Sequence, residues 1–318
     1  MAYSLPKQPI GILTALSTGF DTVTRQLWLL LLPAGLDVFL WLGPRLKAAS
    51  LWTLVAFDIP AGLDPQTRLF AQSLQMSVRR TFETTNWLSW LRPTYFGVPG
   101  LVTGVSLSPP DSAPPEWQLT SFWTFFAALA VLAVIGIGLG GLYWSAVARQ
   151  ARDGRIDWGA VLGRMVSVWP RLVGLALFIA SIVFAVWIPV VLMSVFFESA
   201  FGLIGALIVM LALSLLVWFL FYISFSLHGI VLYNQRVLEA VRASIRLGRT
   251  NFWSMLGLLL ALIAIQSGMG LIWGLAPSDS WLWLVSIGGN AFVVAGLSMA
   301  SMVFYMDRAP IPRSTLAP

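Results

Sequence analysis

The sequence predicts an all-α fold, a polytopic transmembrane helical bundle of six spans with interfacial amphipathic helices. Three observations carry this: the mean hydropathy is +0.84, only 10% of residues are charged against roughly a quarter in soluble domains, and apolar stretches of bilayer-crossing length recur from Leu27 to Met306. With 318 residues the chain has room for two soluble domains, but the recurrence of spans makes one membrane domain over 1–318 the simpler organisation. The absence of cysteine excludes disulfides, thiolate metal sites and a cysteine nucleophile. A net charge of +6 does not point to nucleic acid, because the arginines flank apolar spans and no soluble basic domain remains to carry such a partner.

The six expected spans lie at about 26–44, 121–147, 172–197, 203–232, 252–276 and 281–306. The first contains Pro33 and Asp37. A central Asp costs about 3 kcal/mol on insertion, and the span's eight leucines at about 0.5 kcal/mol each offset it. Its apolar region is longer than a signal peptide's, and a long segment precedes it, so an uncleaved anchor is favoured although Lys47 to Ser50 resemble a small-residue cleavage site.

The connection 45–120 is expected outside the cell membrane. Within it, 64–91 has helical periodicity: Phe70, Leu74, Val78 and Phe82 recur every four residues, while Arg68, Gln72, Gln75 and Arg79 occupy other angles. This predicts mainly one amphipathic helix, with any bend before Trp87, on the outer membrane surface or on the bundle. The proline-rich segment after it, from Pro99 to Pro115, cannot continue a helix and is expected to be extended.

Within the second span, Gly136-Ile137-Gly138-Leu139-Gly140-Gly141 matches the dinucleotide fingerprint in letters only, since no strand precedes it. Gly136 and Gly140 read instead as a GxxxG pair that lets two helices approach. His228, the single histidine, lies near the end of span four, where an amphipathic ring is easily hydrated, and without companions it forms no metal cage. The sixteen tryptophans fall largely at span ends, as in aromatic belts. No cofactor or metal site is expected.

Orientation follows from the short loops. Arg149, Arg152, Arg155, Arg164 and Arg171 cluster between spans two and three, and Arg236, Arg242, Arg246 and Arg249 between spans four and five. The connections around Glu198 and Asp279 carry no basic residue. The basic loops therefore belong inside, which places both termini, with Lys7, Arg25, Arg308 and Arg313, in the cytoplasm of a plasma-membrane protein. Arg242, Arg246 and Arg249 share one helical face, with Leu238, Val241 and Ile245 on another, so this helix is expected in the cytoplasmic interface.

Basic amphipathic stretches run into a span three times, at 15–41, 158–187 and 237–266, a pattern that reads either as a repeat or as the common dress of a six-span protein. The run Glu239-Ala240-Val241-Arg242-Ala243-Ser244-Ile245-Arg246-Leu247, followed by Asn251-Phe252-Trp253, and Arg152-Asp153-Gly154-Arg155 before Trp158, resemble a loose group of uncharacterised bacterial six-span proteins similar to the membrane domain attached to some glycerophosphodiester phosphodiesterases. The resemblance covers the last two thirds of the chain. It implies the fold and carries over no hydrolytic residue, because no stretch resembles the catalytic domain.

Counted inward from the span ends, Asp37, Gln266 and Asn290 lie at similar depths, about 10 to 15 Å. This predicts a polar layer in which Asp37 pairs with Asn290 or Gln266 or is protonated, and in which Asp37→Asn is tolerated if the role is structural. Pro33 and Gly35 are expected to loosen span one, and Gly288 and Gly289 to admit a neighbouring helix at span six. No paired acids, serine triad or HExxH helix is present. The function expected is a non-catalytic membrane subunit or scaffold, partnered by the bilayer and other membrane subunits. Two others stay open: a small permease or lipid-handling carrier with a polar site near Asp37, and a membrane enzyme acting on lipid.

Overall fold

A computed structural model describes residues 9–56, 58–60, 62, 64–102, 104, 106–107, 109–110 and 114–309, and of 191–204 the backbone alone. Lys7, Arg313 and Ser112 lie outside the described residues. The chain is an all-α helical bundle, and among the described residues five helical segments are long and apolar enough to cross a bilayer, or six when the bent pair Ile12–Arg25 and Leu27–Leu42 counts as one. Its contacts divide it into two compact units, one of 1–22, 141–263 and 296–318, the other of 23–140 and 264–295.

Helix α1 (Ile12–Arg25) is amphipathic, burying Ala15, Leu16, Gly19 and Val23. The chain then bends by 97° at Gln26 into a 3-10 turn (Leu27–Leu30) and α2 (Leu31–Leu42). Pro33 therefore falls in the first turn of α2, where its missing N–H costs nothing. The expected loosening at Pro33 is replaced by a break seven residues earlier, at the junction between the amphipathic and the apolar stretch.

The connection that follows is ordered around a short parallel pair, Arg45–Lys47 (β1) with Glu116–Gln118 (β2). After the single turn α3 (Trp52–Val55), helix α4 runs Pro65–Thr84. Asp64 caps it, accepting from the Gln66 and Thr67 N–H groups, and the hydrogen bonding with Thr67 holds its carboxyl below the usual range. A 3-10 turn follows at Trp87–Leu91, so the helix expected over 64–91 breaks at Thr85–Asn86, where Asn86 turns its amide onto the Leu46 and Leu88 N–H groups. No residue of α4 is buried. It docks by its C-terminal end, where Phe82 meets Trp87 and Phe125 at 5.8 and 5.9 Å, while Phe70 and Leu74 of the same expected face stay exposed. Phe82→Asp should detach α4 without unfolding the bundle, read as faster amide exchange over 65–84 with the helix Trp283–Arg308 unchanged; equal exchange in α4 would refute the docking.

Helix α5 (Phe122–Asp153) crosses as expected and continues about two turns further into the arginine-bearing segment. Helix α6 (Trp158–Ile223) is helical throughout its 66 residues, the connection expected near Glu198 included, yet it is no straight rod, which would be about 99 Å long: Arg164 near its start donates to the Leu232 carbonyl and Tyr222 at its end accepts from Ser244, so the chain folds back between the candidate spans Trp158–Val190 and Gly205–Tyr233. The stretch 158–187 runs into its span without a break, through Pro170, so of the three similar stretches only the first and third have a distinct amphipathic helix before the span.

Helix α7 (Ser226–Tyr233) ends on Asn234 in the left-handed conformation, φ 55°. Ser244 of α8 (Val237–Thr250) bridges the break before it, donating to the Tyr222 carbonyl and accepting from the Phe225 N–H. In α8, Ala240, Val241, Ser244, Leu247 and Gly248 are buried while Arg242, Arg246 and Arg249 are exposed, and Glu239 reaches back to the Arg236 N–H. Leu238, expected with the apolar face, is exposed. Helices α9 (Phe252–Trp273) and α10 (Trp283–Arg308) complete the chain. Of the candidate spans, α10 is the core element, with most of its apolar window buried, whereas α6 and α9 bury little of theirs.

Candidate functional site

Asp37 is buried in α2, and its hydrogen-bond donors are supplied by protein. It has no exposed surface. Its Oδ1 accepts from Arg92 Nη1 at 2.6 Å and from the Val102 N–H at 2.7 Å, and its Oδ2 accepts from the Leu101 N–H at 2.8 Å. Arg92 Nη1 also donates to the Val102 carbonyl at 3.1 Å. The carboxylate thus ties α2 to both arms of the segment 92–102, and a buried charge becomes tolerable because a guanidinium and two amides replace water.

The expected partners were others, and here the structure corrects the sequence reading. Gln266 and Asn290 bond each other, Gln266 Nε2 donating to Asn290 Oδ1 at 3.3 Å, and no bond from either reaches Asp37. Asp37 lies in the same unit but answers to an arginine 55 residues away.

What brings Arg92 there is the path of the connection. It does not stay at the helix ends. A Cβ on Gly136 would stand 2.6 Å from the Leu91 carbonyl oxygen, and one on Gly140 would overlap the Phe96 carbonyl. These glycines lie roughly 21 and 27 Å along α5 from Phe122 at 1.5 Å per residue. Gly136 and Gly140 therefore receive the backbone of a folded-back segment, not a second helix. Gly100 does the same for Arg92, whose guanidinium lies where its Cβ would be. Leu88, Phe96, Val98 and Val102 are buried around this turn, and Leu88 and Val102 join Leu40, Trp41, Trp283 and Ile287 in one apolar cluster.

The glycines of the last span also differ from expectation. Gly289 makes room for the indole of Trp273, and Gly288 faces open space, so neither admits a helix backbone. The close helix crossing made by small residues is instead that of Gly19 in α1 with Gly296 in α10, where a Cβ on Gly19 would come within 2.5 Å of the Gly296 carbonyl oxygen.

His228 belongs to the other unit. It is buried, not hydrated as expected, and its ring sits among Trp144, Phe225 and Tyr305 with centroids 5.0 to 5.7 Å away. Its Nε2 lies 2.9 Å from Ser301 Oγ, but that hydroxyl donates to the Ser298 carbonyl at 2.8 Å. The hydroxyl proton is aimed at backbone, so imidazole serves as donor and the pair is no nucleophile with its base. Lys47 is a further buried cation that the sequence did not single out: it donates to Ser106 Oγ at 2.5 Å, and desolvation holds its ammonium below the ordinary lysine value. Among the described residues no group of three or more histidines, aspartates or glutamates comes together in a way that would hold a metal ion.

No protein-family model, curated protein or solved structure matches the chain. The architecture defines a multi-pass helical membrane protein, and the reading of its task rests on the site.

Proposed function

We propose that this chain is a non-catalytic membrane subunit or scaffold whose connection 45–120 is folded back among its own helices. The observation that supports the reading is the closed shell of Asp37: three donors and no exposed surface. A carboxylate that cycles a proton or a cation must be reached during turnover, and this one is occupied in holding Leu101 and Val102. Irregular backbone at bilayer depth is tolerated only where protein buries it, and Gly136 and Gly140 provide that burial. The likeness around Glu239 to Leu247 to the membrane domain attached to some glycerophosphodiester phosphodiesterases accords with this, since the membrane part alone is what resembles. Purification from its own cells at native expression is the test: a stoichiometric membrane partner is expected, and a partner-free protein that moves solute in liposomes would overturn the reading.

One observation favours the carrier. Arg92 Nε and Nη2 and Asn290 Nδ2 are buried donors with no partner among the described residues, and a solute rich in acceptors would satisfy them. Solute flux abolished by Arg92→Lys in a stably folded protein would support it.

A plasma-membrane protein with both termini inside makes a further prediction, accessible because the chain has no native cysteine. Gln72→Cys on exposed α4 should react with an impermeant thiol reagent added to intact cells, and Arg155→Cys should not. The opposite pattern would reverse the topology.

A further inference from the structure

We infer that Arg149, Arg152 and Arg164 form a binding site for the phosphate-bearing headgroup of an anionic phospholipid. A small cleft at the end of α5 and the start of α6 is lined by these three arginines, by Ser145, and by the apolar Val161 and Leu232. Arg149 and Arg152 are three residues apart on α5 and so share a face. Arg152 holds Asp153 through Nε and Nη2 at 2.8 and 3.0 Å, and Arg149 Nη1 stands 3.9 Å from the same carboxylate. Arg164 enters from α6, and its Nη2 donates to the Leu232 carbonyl at 2.9 Å. Three guanidiniums thus converge on a cleft with a single carboxylate beside them, and the apolar floor leaves their excess charge poorly screened.

A second observation points to a ligand. The Ser145 hydroxyl, in a residue 4% exposed, lines the cleft and has no hydrogen-bond partner among the described residues. A buried hydroxyl left unpaired is rare in a folded protein. A phosphate oxygen in the cleft would accept from Ser145 and from the guanidinium forks together.

The surroundings favour a lipid over a soluble anion. The cleft lies where the candidate spans Phe122–Asp153 and Trp158–Val190 meet the interface, and it is too small to enclose a nucleotide. Beside Arg164, the side chains of Leu162, Val166 and Trp169 are exposed at intervals of four and three residues, an apolar track for acyl chains running away from the charge. Basic pockets at the ends of membrane helices take anionic headgroups in this way.

The test titrates the purified, delipidated full chain with phosphatidylglycerol and with phosphatidylcholine of the same acyl chains, read by native mass spectrometry. Phosphatidylglycerol should bind about tenfold more tightly or better, and Arg149→Gln/Arg152→Gln should lose about tenfold of that affinity while binding phosphatidylcholine as before. Arg164 is left intact because it holds the Leu232 carbonyl. Should the glutamine variant not fold, Arg149→Lys/Arg152→Lys replaces it, keeping the lipid preference and losing severalfold in affinity through the missing forks. Equal affinity for the two lipids overturns the proposal, as does unchanged phosphatidylglycerol binding in a folded variant. Displacement of phosphatidylglycerol by millimolar inorganic phosphate marks a free-anion site and overturns the assignment to lipid.

Discussion

Arg92→Met is expected to destabilise the protein by about 3–5 kcal/mol, the cost of leaving a buried charge without its partner. Asp37 would retain the Leu101 and Val102 amides, but no cation would remain beside a carboxylate with no exposed surface. Asp37→Asn, tolerated on the sequence reading of a structural aspartate, should now cost about 1–3 kcal/mol. A carboxylate accepts at both oxygens here, whereas an amide must turn its NH2 toward either the Leu101 N–H or the Val102 N–H and Arg92. The double variant Asp37→Asn/Arg92→Met removes both charges and should recover part of the loss, so that a double-mutant cycle gives a coupling of the order of 1–3 kcal/mol. Reversible unfolding in detergent measures all three. Arg92→Met within about 0.5 kcal/mol of wild type would show that the pair does not hold the segment.

The difference between Asp37 and its partner marks how far the sequence was legible. An aspartate inside an apolar run is exceptional by itself, and similar depths grouped it with Gln266 and Asn290, which bond each other while Asp37 is held by Arg92. Arg92 stands in a connection whose charges were read only for topology, and no periodicity relates it to a residue 55 positions earlier. The trace it did leave was a single basic residue directly after the apolar run Trp87 to Leu91 and before Pro93. The same asymmetry holds for the fold. Hydropathy gave the spans and the amphipathic moments of α1 and α8, because both depend on composition at a fixed helical period. It placed a turn near Glu198 because a bilayer is crossed in about 20 residues, and α6 does fold back between its two candidate spans although its backbone stays helical through the connection.

The GxxxG motif illustrates what a pattern leaves open, since it announces a close approach without naming what approaches. Gly140→Ala should therefore behave as a lesion of the connection and not of helix packing. Its new methyl would occupy the position of the Phe96 carbonyl, a backbone group that no rotamer change can move aside. The segment must lift away from α5, at a cost of about 1–3 kcal/mol or more. Gly163→Ala, at an exposed helical site with nothing within 4 Å of the added Cβ, provides the control and should stabilise by up to about 1 kcal/mol. The segment itself supplies the readout. Val98 is fully buried, so Val98→Cys should react slowly with a thiol reagent in the otherwise native chain and many times faster when Gly140→Ala is added. The two changes must occur together: a Gly140→Ala protein that melts with the native one and leaves Val98→Cys protected would mean that the connection does not run against α5 at this depth.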